Sequence, residues 1–162
     1  MDTKRGTIAV LLGLVIAIGL AAPVAADEGR PMTGQFTAQA GPTASRCGAD
    51  LTLGFEIRGV ASHLGALTGS GSNCTEWTLA TSAVAVWDGL ATFVAADGSR
   101  LTTVSEGAQD APVAGKATFV ITHTITGGTA RLADAAGVWT VTGVIDFTTG
   151  TISGRVAGWL TY

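Results

Sequence analysis

The chain has 162 residues, a formal net charge of −3, 23 glycines and only 13% charged residues. A net negative chain lacks the basic face that phosphate backbones require, which excludes nucleic-acid binding as its main role. The low charge density argues against an extended disordered tail, and the length suits one domain.

Lys4 and Arg5 precede an uncharged apolar run from Ile8 to Leu20, after which Pro23 breaks the helix. Val24-Ala25-Ala26 then sets small residues at −3 and −1 before Asp27. This is the layout of a secretory signal peptide, so residues 1–26 are expected to be removed, leaving residues 27–162 as a single secreted domain. That domain has 136 residues, a net charge of −4 and a hydrophobic share of 43%. No later apolar run approaches the about 20 residues of a membrane-spanning helix, so no membrane association is expected after removal.

Helix formers are scarce beyond residue 26, with one Lys and four Glu, whereas Thr reaches 22 and Gly 20. Short Thr/Val/aromatic runs punctuated by glycine mark an all-β domain. Cys47 and Cys74 are its only cysteines and stand 27 positions apart. In an oxidising compartment they are expected to pair, a closure worth roughly 3 kcal/mol or a little more in the chain-entropy model. Asn73-Cys74-Thr75 matches a glycosylation sequon, but a disulfide at its middle residue would hinder transfer.

From Leu51 to Gly59, Leu51, Leu53, Phe55 and Ile57 alternate with Asp50, Thr52, Glu56 and Arg58, the period of a half-buried strand. Gly69 to Asn73 reads as a polar loop, with Ser70 in a flexible Gly-Ser turn. Asp97-Gly98 predicts a hairpin between Leu90–Ala96 and Arg100–Glu106, followed by a polar loop from Gln109 to Gly115. Ala117, Phe119, Ile121, His123 and Ile125 then share one face. Arg131 to Ala136 is the one stretch suited to a helical turn. Trp139, Val141, Ile145 and Phe147 form the next apolar face, and Thr148-Thr149-Gly150 turns into a last strand. There Ile152, Gly154, Val156, Gly158, Leu160 and Tyr162 face inward and Trp159 outward, the glycines relieving crowding in a coiled strand. About eight strands with short antiparallel connections predict a small eight-stranded antiparallel β-barrel, with a β-sandwich as the alternative.

Two segments resemble a known family. Ile125-Thr126-Gly127-Gly128-Thr129-Ala130-Arg131-Leu132-Ala133-Asp134-Ala135-Ala136-Gly137 resembles the GGTGRFxxAxG signature of allene oxide cyclase/dirigent-like barrel proteins. Ala61-Ser62-His63-Leu64-Gly65, with Leu67-Thr68-Gly69, resembles the THLGxFTG stretch of secreted bacterial members. The resemblance covers roughly residues 50–162 and departs from the pattern at Ala130, where Gly is usual, and at Leu132, where Phe is usual. It implies an eight-stranded antiparallel barrel, often oligomeric, and transfers no catalytic residue. On the residues themselves, Gly127, Gly128, Thr129, Arg131 and Gly137 form a structural motif. The two adjacent glycines permit a positive φ, and Arg131 can bond carbonyls or a carboxylate.

His63 and His123 are the only histidines and the only catalytic candidates. His123 is expected inside the barrel, while the strand faces around His63 are ambiguous. A general acid–base site needs both at one cavity with a carboxylate such as Glu56, Asp88 or Glu106, although alternation turns Glu56 outward. Trp77, Trp87, Trp139 and Trp159 are candidates for a ligand cavity or a contact surface. No pattern calls for a metal or a cofactor. The leading expectation is therefore a non-enzymatic secreted barrel that binds a small apolar molecule. The alternatives are a cyclase- or isomerase-type enzyme using a lumenal histidine and a structural surface module, which allows a homo-oligomer.

Overall fold

A computed structural model describes residues 29–76 and 84–162, so the expected leader at 1–26 and Trp77 lie outside the described residues. Eight strands follow in order: β1 (Arg30–Pro42), β2 (Leu51–Ala61), β3 (Gly65–Thr75), β4 (Val84–Val94), β5 (Arg100–Gln109), β6 (Lys116–Gly128), β7 (Ala136–Asp146) and β8 (Thr151–Thr161). Each pairs antiparallel with the next, and β8 returns to pair with β1, so the sheet closes into an up-and-down barrel with no free edge. Closure sets the sandwich aside.

The period-two pattern settles which side chains fill the barrel. Phe55 and Ile57 on β2, Phe119 and His123 on β6, and Trp139, Val141 and Ile145 on β7 face inward as the alternation predicts. On β8, Ile152 and Leu160 are buried and Trp159 is 45% exposed. β1 shows no clear apolar period in the sequence, because its inner row of Met32, Phe36 and Ala38 is diluted by Gly34 and Ala40.

Two local expectations fail. Gly69 to Asn73 is the interior of β3, not a loop. A Cβ at Gly71 would stand 2.7 Å from Cζ of Phe55, so the glycine makes room for a ring from the neighbouring strand. Composition suggested a turn, whereas the requirement is space on the inner face. Phe147 lies past the end of β7 and is 41% exposed, because Asp146 already opens the turn by bonding the Thr148 amide through its carboxylate.

One end of the barrel is plugged by Met32, Leu101, Leu132 and Leu160, all almost fully buried. Leu132 comes from a single 3-10 turn, Ala130–Leu132, between β6 and β7, close to the predicted helical turn. Near the other end, Cys47 and Cys74 form a disulfide, which ties the β1–β2 connection to the last part of β3. Such a bond fits an oxidising, extracellular setting. Among the described residues no helix is long and apolar enough to cross a membrane, a statement that does not bear on strands.

Candidate functional site

The inward rows leave a cavity along the barrel axis in which the centres of water-sized molecules have about 90 Å³. One water needs about 10–15 Å³ on that measure, so the space suits a small organic molecule. Phe36, Leu53, Phe55, Ile57, Phe119 and Val141 are among its apolar wall. Among the described residues, the polar lining is Gln35, Asn73, Thr75, Ser105, Gln109 and His123, with no Asp, Glu, Lys or Arg.

His123 is 5% exposed and sits between two aromatic neighbours. It stacks on Trp139 with ring centroids 5.7 Å apart and meets Phe93 edge-on at 5.8 Å. Its Nδ1 lies 3.0 Å from the Thr103 hydroxyl. Burial away from any counter-charge pushes the imidazole down to about 4, so it is neutral at neutral pH.

Asn73 sits in a sequon and in a segment expected to be a loop, yet it belongs to the barrel wall. It lies opposite Leu53 on the inner face of β3 and is 7% exposed. A glycan could not reach that side chain in the folded barrel. Its Oδ1 is fully buried and has no hydrogen-bond partner among the described residues. Leaving a buried carbonyl unpaired costs about 1–3 kcal/mol, so native proteins seldom do it without a reason. Thr75, two residues on, donates its hydroxyl to the Ala85 carbonyl at 3.2 Å. Gln109 pairs with Val84 near the barrel end opposite the leucine plug, where β3 also ends, whereas Ser105 lies level with His123. The signal was in the chain: Leu67, Gly69, Gly71, Asn73 and Thr75 keep the period of two.

His63 stands apart from this cavity. It occupies the β2–β3 turn, exposed, with φ 68°, and its Nε2 donates to the Pro31 carbonyl at 3.1 Å. Glu56, Asp88 and Glu106 are exposed on the outer surface. The two histidines and a carboxylate are therefore not brought together. Among the described residues no three His, Cys, Asp or Glu side chains cluster so as to hold a metal ion. Trp87 is half-buried at the irregularity in β4 and is not part of the cavity wall.

The Gly127–Gly137 motif builds the plugged end. Arg131 donates through Nε to Asp97 at 2.6 Å and through a terminal nitrogen to the His63 carbonyl at 3.2 Å, joining three hairpin connections. That hydrogen bond holds the Asp97 carboxyl down at about 2. The guanidinium groups of Arg131 and Arg30 each lie 4.8 Å from the centre of the Tyr162 ring. Thr129 accepts from the Arg100 amide through its hydroxyl.

The expected positive φ is absent from Gly127 and Gly128 and appears instead at Ala130, with φ 53°. Gly128 is required for space, since a Cβ there would collide with the Leu132 carbonyl. A left-handed alanine costs about 1–2 kcal/mol, whereas glycine's extra freedom in the unfolded chain costs about 0.4–1 kcal/mol. Ala130→Gly is therefore expected to raise stability by roughly 0.5–1 kcal/mol in urea titrations. A loss of stability would show that the turn tolerates its alanine without strain.

No protein-family model, no curated protein and no solved structure matches this chain.

Proposed function

We propose that the protein is a secreted β-barrel that takes a small, largely apolar molecule into its lumen. The observation that carries this reading is the cavity of about 90 Å³, walled mainly by aromatic and aliphatic side chains, with no charged side chain among the described residues of its lining. Binding sites for small molecules share this character, an apolar wall with a few placed polar groups. The signal-like leader and the disulfide support an extracytoplasmic location. Membership of the allene oxide cyclase/dirigent-like group is supported by the motif at 125–137 and by Ala130, whose left-handed backbone coincides with the position where the signature carries glycine.

Titration with benzene, followed by methyl NMR, tests the binding reading. Saturable shifts confined to lumenal methyls such as those of Ile57, Ile121 and Val141 are expected. Ala38→Leu narrows the lumen and is expected to weaken binding at least tenfold while the fold persists. The absence of saturable shifts in the wild-type protein would reject lumenal binding.

A second reading, cyclase- or isomerase-type chemistry with His123 as proton acceptor, is favoured by the neutral imidazole on the lumen wall. It ranks below binding because, among the described residues, no carboxylate lines the lumen to hold an imidazolium.

A further inference from the structure

Thr103 and His123 form a buried polar pair that fixes which ring nitrogen carries the proton. Thr103 is 2% exposed, and its hydroxyl lies 3.0 Å from His123 Nδ1, its one hydrogen-bond partner among the described residues. A buried hydroxyl whose proton finds no acceptor is costly, whereas an unused lone pair is better tolerated. The hydroxyl therefore donates and Nδ1 accepts. The imidazole is neutral at neutral pH, so its single proton sits on Nε2. Nε2 itself makes no hydrogen bond among the described residues. Asn73 Oδ1 is the one unpartnered side-chain oxygen or nitrogen among them that is fully sealed off, so Nε2 keeps an open edge. The ring belongs to the cavity wall and is packed by Phe93 and Trp139, which leaves the lumen as the space that edge meets.

We infer that the lumen selects an uncharged molecule with an apolar body and an accepting oxygen, a carbonyl above all, which takes the Nε2–H of His123. This rests on the lumenal binding proposed above and adds the class of guest and its orientation. Ser105, opposite His123 on β5 and also in the wall, sets a hydroxyl at the same level for the second lone pair of that oxygen. The apolar body extends along β6 toward Phe119, four residues nearer the Lys116 end, because Leu101 and Leu132 close the other end. A guest without an acceptor leaves the Nε2–H dry and unpaired. The lining holds no Asp, Glu, Lys or Arg among the described residues, so an ionised guest would lose its hydration without a fixed opposing charge. In this tautomer Nε2 donates, so the ring serves binding rather than the proton-acceptor chemistry of the second reading.

Cyclohexanone and methylenecyclohexane test the inference, since they share a shape and differ only in carrying an oxygen or a methylene on the ring. Water holds the ketone more strongly, so their affinities at pH 7 are set against their partition from water into cyclohexane, which offers no hydrogen bond. The ratio of ketone to alkene affinity is expected to exceed that partition ratio about tenfold or more. The carbonyl stretch of bound cyclohexanone should lie at lower frequency than in cyclohexane, the mark of an accepted hydrogen bond. Long-range proton–nitrogen NMR of the free protein should place the imidazole proton on Nε2. His123→Phe should return both the ratio and the stretch to their cyclohexane values. If that variant does not fold, the three wild-type readouts still decide. Both guests binding at the partition ratio, an unshifted stretch or a proton on Nδ1 would overturn the hydrogen bond and leave lumenal binding intact. A shifted stretch that survives in His123→Phe would take the role away from His123. Cyclohexylammonium is expected to bind about 100-fold or more weakly than the ketone, and equal affinity would overturn the exclusion of ions. Failure of both neutral guests to bind would instead reject the lumenal reading.

Discussion

Between pH 7 and pH 4 the folded protein is expected to lose about 3 kcal/mol of stability through His123 alone, at 1.36 kcal/mol per pKa unit. The imidazole titrates near 6.5 in an unfolded chain and at about 4 in the barrel. Across that interval the unfolded chain binds the extra proton, so acid favours unfolding. The contribution is complete above pH 6.5, falls as pH drops toward 4, and changes little below the folded value. The groups packed against the ring are Phe93, Trp139 and the Thr103 hydroxyl, none of which carries a negative charge to pair with an imidazolium. Ser105, opposite on β5, brings no charge either. The check is urea unfolding at pH 7, 5.5 and 4, compared with His123→Phe, which keeps an aromatic ring but removes the titrating group. The variant's stability should be nearly flat over this range, even if lower overall because Thr103 loses its partner. A wild-type profile as flat as the variant's would mean that the imidazole gains a proton in the barrel without penalty. Asp97 acts in a separate window: its carboxyl is held at about 2, so its contribution is present above the ordinary carboxylate range and lost as pH falls below it.

What could be read from the chain was whatever depends on alternation. The apolar rows of residues 53–57, 117–125 and 139–145 turn their side chains to the barrel interior because each strand is buried on one face only. The disulfide was legible because two cysteines have one intramolecular pairing. Segments in which glycine replaces bulk were hidden. On β3, Gly69 and Gly71 resemble a turn in composition, yet they are there because rings from Phe93 and Phe55 cross over them. Recognising this requires knowing the register that sets Phe55 beside Gly71 and Phe93 beside Gly69 on the adjacent strands. The two histidines illustrate the same limit. His123 carries its side in the strand period, while His63 lies in a turn whose left-handed backbone no periodicity announces. Asn73 was hidden for both reasons, being a polar residue in a glycine-rich run and part of a sequon that points to the outer surface.

Removing the disulfide, by Cys47→Ala with Cys74→Ala, is expected to cost about 3 kcal/mol in the chain-entropy model for a loop of this length. Native strand pairing supports a loss that arises largely in the unfolded chain. The β2–β3 ladder runs unbroken past Cys74, and Arg46 holds the same connection by donating to the Ser72 hydroxyl at 3.0 Å and to its carbonyl at 2.9 Å. With those contacts kept, the barrel and its lumen should persist, so affinity for benzene should change little while the midpoint of urea unfolding falls. The urea dependence should steepen, because an unfolded chain freed of the crosslink exposes more surface. Reduction of the wild-type protein separates this from packing, since it opens the bond without trimming the buried Cys74 side chain. Equal losses in the reduced protein and the double variant place the effect in the bond. A loss below about 1 kcal/mol in both would show that the β1–β2 connection is already restrained without it. Domains of this size have a total stability of about 5–15 kcal/mol, so a loss of 3 kcal/mol raises the unfolded fraction more than 100-fold. A barrel that loses this much stability without one covalent closure is suited to a compartment where thiols stay oxidised, in keeping with the extracellular setting that the disulfide fits.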